Sequence, residues 1–424
     1  TLLRATALCT ILSLTALAMV PAANAAARHA AKAPSTPDAK FVALYTAEYE
    51  WRGKQMAADE NTPKGEVSAH LPDVSEASQQ AKLAYWQDVL KKLAAIDPAK
   101  LTPAHAEDYA VYKFQIEILA NDQVFKTYQR PLAGDTSFWG DLADMARGTF
   151  HNADDYRNYI SQLNDFPRYF KDNSDNMRAG LKRGFTLPQI SLQGRDASVT
   201  SVLAPAAVED NLYYTPFKTM PASIPAAKQA ELRAAGLAAV RDKVIPAHKA
   251  LLDFLRDEYI PGAVTSLAAS DLPDGRAFYQ SQIREYTTLD MTPDAIHQLG
   301  LDEVAKLRGE MQAVMEQVGF KGDLKAFNNF LRTDPQFYVT KPQDLLDRAA
   351  WIAKTFDGKA SQYFGRLPRS RFAIIPVPDD IAPFYTGGRG GPGVYLVNTY
   401  NLPSRPLYSL PALTMHESAP GHAM

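Results

Sequence analysis

The sequence predicts a mainly α protein: a multi-helix body, then a small strand–loop–strand unit leading into a final helix. Three observations carry this. Apolar residues recur at three- and four-residue spacing through most of the chain between 40 and 356, the period of one helix face. Proline next to Ser, Thr or Asp punctuates that pattern at helix starts. After Gly365 the pattern changes to short apolar runs on either side of a glycine-rich segment, Gly387–Gly393.

The N-terminus stands apart from this body. Arg4 is the only charge before Arg28, and an apolar run from Ala5 to Val20 is followed by Pro21 and the small-residue site Ala23-Asn24-Ala25. That is the pattern of a secretory signal (1–25), with cleavage after Ala25 or Ala27 and a periplasmic or secreted destination. The run is short for a membrane span, so none is expected after cleavage. Cys9 is the one cysteine in the chain and lies inside the signal, without the small residue before it that a lipoprotein box requires. A mature chain without thiols has no disulfide and no cysteine nucleophile, so any metal falls to His, Asp or Glu.

Residues 26–38, rich in Ala, Lys and Pro, read as a flexible leader, and 39–365 as the helical body. Phe41, Leu44, Tyr45 and Tyr49 mark a helix over 40–52. Ser75 caps the next, through Ile96, with Leu83, Trp86, Leu90 and Leu93 on one face. Thr102-Pro103 opens a third, carrying Tyr109, Tyr112, Ile116 and Leu119. Further helices are expected at 137–147, 152–163, 165–183, 198–211 and 226–259, with Asp165 as a cap and Pro167 in a first turn. Pro261–Gly275 reads as a break ending in the Leu272-Pro273-Asp274-Gly275 turn. Asp290-Met291-Thr292-Pro293 caps a long helix to about Val318, whose apolar stripe is Ile296, Leu299, Gly300, Val304, Leu307, Met311 and Val314. Helices at 324–332 and 342–356 complete the body.

Residues 366–424 read as the start of a catalytic unit. Arg371–Pro378 is a β-like segment whose prolines suit a sheet edge. Ala382–Gly393 reads as a loop, Gly393–Tyr400 as a strand, and Tyr408 onward as a helix.

The bulk charge excludes one class of partner. With 45 Lys and Arg against 47 Asp and Glu, the net charge is −2, and no long block of one sign occurs. Neither nucleic acid nor another polyanion has an electrostatic footprint to meet. The chain also lacks a Walker loop, a G-x-S-x-G elbow and a dinucleotide fingerprint.

Chemistry concentrates in His416-Glu417-Ser418-Ala419-Pro420-Gly421-His422. Hydrolytic zinc sites use imidazole ligands, an open position and a carboxylate that takes a proton from water. The usual local form places two histidines four apart on one helix face, with the Glu after the first as base. Here the second His is six on. A straight helix turns about 600° over six residues, leaving the two side chains about 120° apart. For both to meet one ion the helix must deform, and Pro420-Gly421 supplies the means: proline removes a helix hydrogen bond and glycine tolerates unusual backbone. A bulge absorbing two residues is therefore expected there. The other histidines, His105, His248 and His297, read as structural, Glu303 as a solvated charge, and Trp86 and Trp139 as core.

HESAPGH resembles the HExxPGH signature of the bacterial domain-of-unknown-function family 885, grouped with HExxH zinc peptidases. The resemblance extends over Thr287–Val304, the turn at 272–275 and Phe384–Thr399, and so covers most of the mature chain. It implies a largely helical, gluzincin-type fold related to angiotensin-converting-enzyme-like architectures. It also implies zinc on His416 and His422, Glu417 as general base, and a peptide substrate. The third ligand, a glutamate on a following helix, is expected beyond Met424, so the chain is expected to be truncated within its active site. Ala423 departs from the family, where a second His often follows the motif. In such peptidases the strand before the metal helix often pairs with extended substrate. That suggests β-augmentation on Gly393–Asn398, a substrate carboxylate at Arg389, and oxyanion donation by Tyr395 or Tyr400. Two rivals are a non-catalytic periplasmic binding or scaffold protein with a degenerate site, and a zinc amidase acting on cell-wall peptides.

Overall fold

The structure is a computed structural model, and it describes residues 36–55, 68–133, 136–379 and 381–424. The signal and its cleavage site lie outside the described residues. The fold is mainly α with one three-stranded sheet. Among the described residues no helix is long and apolar enough to cross a membrane.

Three helices open the chain: α1 (Pro37–Gly53), α2 (Glu76–Ala94) and α3 (Pro103–Phe125). Thr36 and Ser75 accept from the N–H groups of Ala39 and Ser78, so each start has the cap that its sequence offers. The helix thus begins two residues inside the expected leader. Phe41, Trp86, Val89, Leu93 and Ile116 fill the space between the three. Buried among them is Glu48, which accepts from the Trp86 indole at 3.1 Å and the Tyr112 hydroxyl at 3.3 Å. Arg52, one turn on, lies 3.2 Å from the same carboxylate. At the open end Asp38 accepts from Thr102 N and lies 2.6 Å from His105 Nδ1, joining the starts of α1 and α3. The Thr102 amide, then His105, holds the Asp38 carboxyl below its ordinary range.

The largest core gathers around α4 (Ala153–Arg183). Two helices were expected here, split at Asp165. Instead 31 residues run unbroken from an Asn152–Asp155 capping box, with Pro167 inside. Asp165 is not a cap: its carboxylate accepts from Leu71 N at 2.9 Å, and Arg168 donates to Leu71 O at 2.7 Å and Pro72 O at 3.1 Å. The segment crossing the helix at the proline therefore takes up the polar residues around it. The expected helix at 137–147 is a short α turn, Phe138–Asp141, continued as 3-10 helix over Leu142–Arg147. That at 198–211 is α-helical only over Ala197–Leu203, stops before Pro205, and resumes as a 3-10 turn at Val208–Asp210.

The helix expected over 226–259, α5, runs as Ala226–Ala239, Ile245–Phe254 and Ile260–Gly262, joined by wide π turns at Val240–Val244 and Leu255–Tyr259. Pro246 and Pro261 each sit two residues past a π turn. A proline ring collides with the carbonyl four residues back, and a wider turn before it opens that space. His248 is fully buried here among the rings of Phe166, Phe170 and Tyr213, its Nδ1 2.9 Å from Val244 O. Burial pushes its pKa down to about 4, so it is neutral in the core.

Then come α6 (Gly275–Thr287), α7 (Pro293–Gln317), α8 (Leu324–Thr333) and α9 (Pro342–Asp357). The spacing predicts no element over 276–289, and α6 fills most of that stretch. Thr292 caps α7 as expected. The stripe of α7 does not form a core: Leu299, Val304 and Leu307 are about half exposed, and Met315 is the buried residue of the helix. The sheet has β1 (Ala373–Pro376), β2 (Gly388–Gly391) and β3 (Val394–Val397) in the order β1-β3-β2, with β3 parallel to β1 and antiparallel to β2. The Pro-containing β1 takes an edge, as its composition suggests. Leu345 and Ala349 of α9 pack with Tyr395, Val397 and Leu410, so α9 shares a core with the segments after 365.

Two outcomes follow. Glu48→Ala should cost about 3–5 kcal/mol in urea unfolding, since it strands the buried Trp86 and Tyr112 donors and the partly exposed Arg52, while Glu48→Gln costs less because its amide oxygen still accepts. His248 has a folded pKa below its unfolded value, so its contribution is complete above about pH 6.5 and is lost as pH falls toward 4. The stability difference between wild type and His248→Met should therefore shrink by about 3 kcal/mol between pH 7 and pH 4.

Candidate metal centre

The motif sits on α10 (Leu410–Glu417), reached from β3 through the 3-10 turn Leu402–Ser404. Leu410 anchors its start in the α9–sheet core, and Thr414 is buried on the same side. The helix ends at Glu417, because Ser418 turns out of helical geometry at φ −110° and ψ −100°. Its N–H and hydroxyl both go to Thr414 O, which closes the last turn. The chain then folds back. Gly421 N donates to Met415 O at 3.1 Å and His422 N to His416 O at 3.0 Å. These bonds span six residues where a helix spans four, so two extra residues are absorbed. The expected deformation at Pro420-Gly421 is present, but as a wide turn closing the helix rather than a bulge within it. The Ala419–Pro420 peptide is cis.

The result is convergence. The His416 and His422 rings lie 4.9 Å apart, inclined at 81°. With Glu417, their ligand atoms all fall within 4.8 Å of one another. Both histidines are exposed, whereas Glu417 is 8% exposed. Gly421 makes the turn possible: a Cβ there would lie 1.7 Å from His416 O.

Glu417 is held from the sheet. Its Oε2 accepts from Gly390 N on β2 at 2.7 Å. The helix rests so closely on the strand that a Cβ at Gly390 would fall 1.7 Å from Glu417 O. This explains the glycine run. The sequence reading took 382–393 as loop because glycine has low strand propensity. Here it forms β2, and Gly388 and Gly390, two apart on one strand, clear room for the Tyr395 ring and for α10 respectively. The glycine alternation is the available signal, and the Gly390 amide is the contact to Glu417 that spacing alone does not reveal.

The proposed substrate contacts fare differently. Tyr395 is fully buried, with its hydroxyl 3.4 Å from Thr414 Oγ1, and burial raises its pKa. It cannot reach an oxyanion from there. Asn398 is also fully buried: its amide donates to the carbonyls of Ala382, Tyr385 and Thr386, pinning the loop before β2. β3 lies between β1 and β2, so the expected augmentation on Gly393–Asn398 has no free edge. β2 is the edge beside α10. Gly393, at φ +81°, completes the tight Pro392-Gly393 turn between β2 and β3, a conformation suited to glycine. Arg389 is half-buried with its guanidinium 5.5 Å from the Tyr385 ring centre. Tyr400 is exposed on the surface.

The chain resembles known proteins over most of its length. A family model described as "Bacterial protein of unknown function (DUF885)" matches residues 58–424. None of the curated proteins matches. Among solved structures, one described as "putative lipoprotein from Colwellia psychrerythraea" is similar, with a TM-score of 0.78 at 17% identity over 92% of this chain and 72% of that one. At that identity the likeness concerns the fold.

The Gly390 contact yields a paired expectation. Gly390→Ala should lower stability by about 1–3 kcal/mol in urea unfolding, because α10 must lift from β2. Gly391→Ala, whose Cβ would meet nothing within 4 Å, should stay within about 0.5 kcal/mol of wild type.

Proposed function

The chain belongs to the DUF885 family of bacterial proteins, and from that premise we propose that it is an exported zinc-dependent metallopeptidase acting on peptide bonds, most readily those of short peptides. The observation that carries this reading is the convergence of His416, Glu417 and His422 on one point through the six-residue turn. Two imidazoles and a carboxylate are donors that suit zinc rather than a hard oxygen-seeking cation. His416 and His422 would hold the ion. Those two imidazoles are the metal ligands of the cluster, and Glu417 beside them is its carboxylate, assigned as the base rather than as a ligand. When bound, zinc supplies Lewis-acid polarisation of the scissile carbonyl and acidifies water.

The chain's own residues supply the rest. Glu417 takes the proton of the attacking water and returns it to the leaving amine. The Gly390 N–H holds one carboxylate oxygen at 2.7 Å, which leaves the other to accept that proton. A carboxylate so anchored is already oriented when substrate arrives. The outer edge of β2, which flanks α10, is where an extended peptide would lie, main chain to main chain. Tyr400 and Arg389 are the side chains of this unit left as candidates for substrate ends.

The test is metal content and hydrolysis measured together. Glu417→Gln should retain zinc and lose about 10²–10⁴-fold in turnover of a short-peptide pool. His416→Ala should lose both. Unchanged turnover in Glu417→Gln would remove that residue from the base role, and a wild-type protein that takes up no zinc would sink the proposal.

A further inference from the structure

The helical body contains a cleft that the metal site does not use. It lies among α2, α3, α6 and the Phe138–Asp141 turn, with a cavity volume of about 600 Å³. That is the size range of sites for small organic molecules. Five charged side chains line it, Lys82, Asp122, Arg130, Asp141 and Glu285, of which Asp141 is already engaged by other groups of the chain.

These charges are not spent on one another. Lys82 is 7% exposed, yet among the described residues no carboxylate lies within ion-pair distance of it. Its neighbouring charge, Asp73, acts on it only at longer range. Arg130 stands 5.0 Å from the Phe185 ring centre and 5.7 Å from that of Phe278, and again no carboxylate pairs with it. Asp122 senses Glu285 rather than a cation, and Glu285 accepts from the Gln282 amide at 2.8 Å without a cation among the described residues to pair it. Burial, with that second carboxylate, raises the Asp122 pKa to about 6. Gln123 Oε1 is buried there without a hydrogen-bond partner. Buried charges are normally paired, because leaving water unpaired is costly. A cleft in which Lys82, Arg130 and Asp122 have no ion-pair partner among the described residues leaves those groups available for an opposite charge from outside.

We infer that this cleft binds a small zwitterion, a free amino acid or short unblocked peptide. Lys82 and Arg130 receive its carboxylate, and Asp122 and Glu285 receive its ammonium. The Gln123 carbonyl oxygen accepts one further N–H. The inference is independent of the metal site, since none of these residues lies in the segments that form it.

The experiment is calorimetric titration of the full chain, in the presence of EDTA, with trialanine, N-acetyl-trialanine and trialanine amide. EDTA removes any contribution from metal at the histidines. Blocking either terminus should weaken binding about tenfold, the worth of one charge-assisted hydrogen bond. Lys82→Met keeps the buried stem and should weaken trialanine about tenfold while leaving trialanine amide unchanged. Asp122→Asn should do the same for trialanine, and leave the N-acetyl peptide unchanged. His416→Ala should bind trialanine as wild type does. Equal binding of all three peptides by wild type would overturn the inference, as would no heat with trialanine. The wild-type comparison requires no variant to fold. Loss of trialanine binding in His416→Ala would place the peptide at the motif instead, whereas failure of peptide hydrolysis leaves this cleft untouched.

Discussion

The seat of α10 on β2 is the contact on which the site depends. A helix backbone meets a strand backbone so closely that one methyl group at Gly390 would lie 1.7 Å from Glu417 O. Closeness of that order brings the Gly390 N–H to the Glu417 carboxylate without a water or a side chain between them. The helix ends on that same glutamate, where Ser418 leaves helical geometry and the turn carrying His422 begins. The order of the chain is thereby explained: glycine-rich strand, central strand, short connector, then the motif helix. Each stage positions the next, and Leu410, Tyr395, Val397 and the α9 residues Leu345 and Ala349 supply the apolar contact that keeps the stack together.

The rest of the molecule uses buried polar groups in two distinct ways. Glu48 is surrounded by donors and closes the three-helix unit, as a satisfied buried charge does. The cleft beside it has both signs of charge and leaves them apart. His248 is a third case, a titratable ring kept neutral by its aromatic surroundings. The same physics, the cost of a charge away from water, makes one group structural, another acid-sensitive and a third available to a ligand.

Departures between the sequence reading and the structure have physical reasons that can be named. Asp165 and Pro167 look like a helix start because capping and first-turn proline are local signals, but Leu71 and Pro72 come from far along the chain to engage Asp165 and Arg168. The helix continues because tertiary partners took those groups. Glycine at 388 and 390 reads as loop on propensity, yet propensity carries no information about a helix arriving overhead. The α7 stripe is legible as apolar spacing, and spacing cannot say whether a partner surface meets it. Tyr395 and Asn398 look available for substrate in a strand beside a motif, but the strand is central and both side chains are buried.

By itself the sequence determined what depends on near neighbours: the helical class, the caps at Ser75 and Thr292, the edge character of β1, and the need for a deformation between His416 and His422. Those follow from spacing, backbone limits and hydrogen bonds a few residues long. Tertiary structure decided what depends on distant groups arriving in one place. It set the strand order that buries β3, the wide turn that brings the two imidazoles together, the Gly390 amide on Glu417, and the cleft in which, among the described residues, no carboxylate forms an ion pair with Lys82 or Arg130. Local rules state what a segment can do, and only packing states which of its groups remain free to do it.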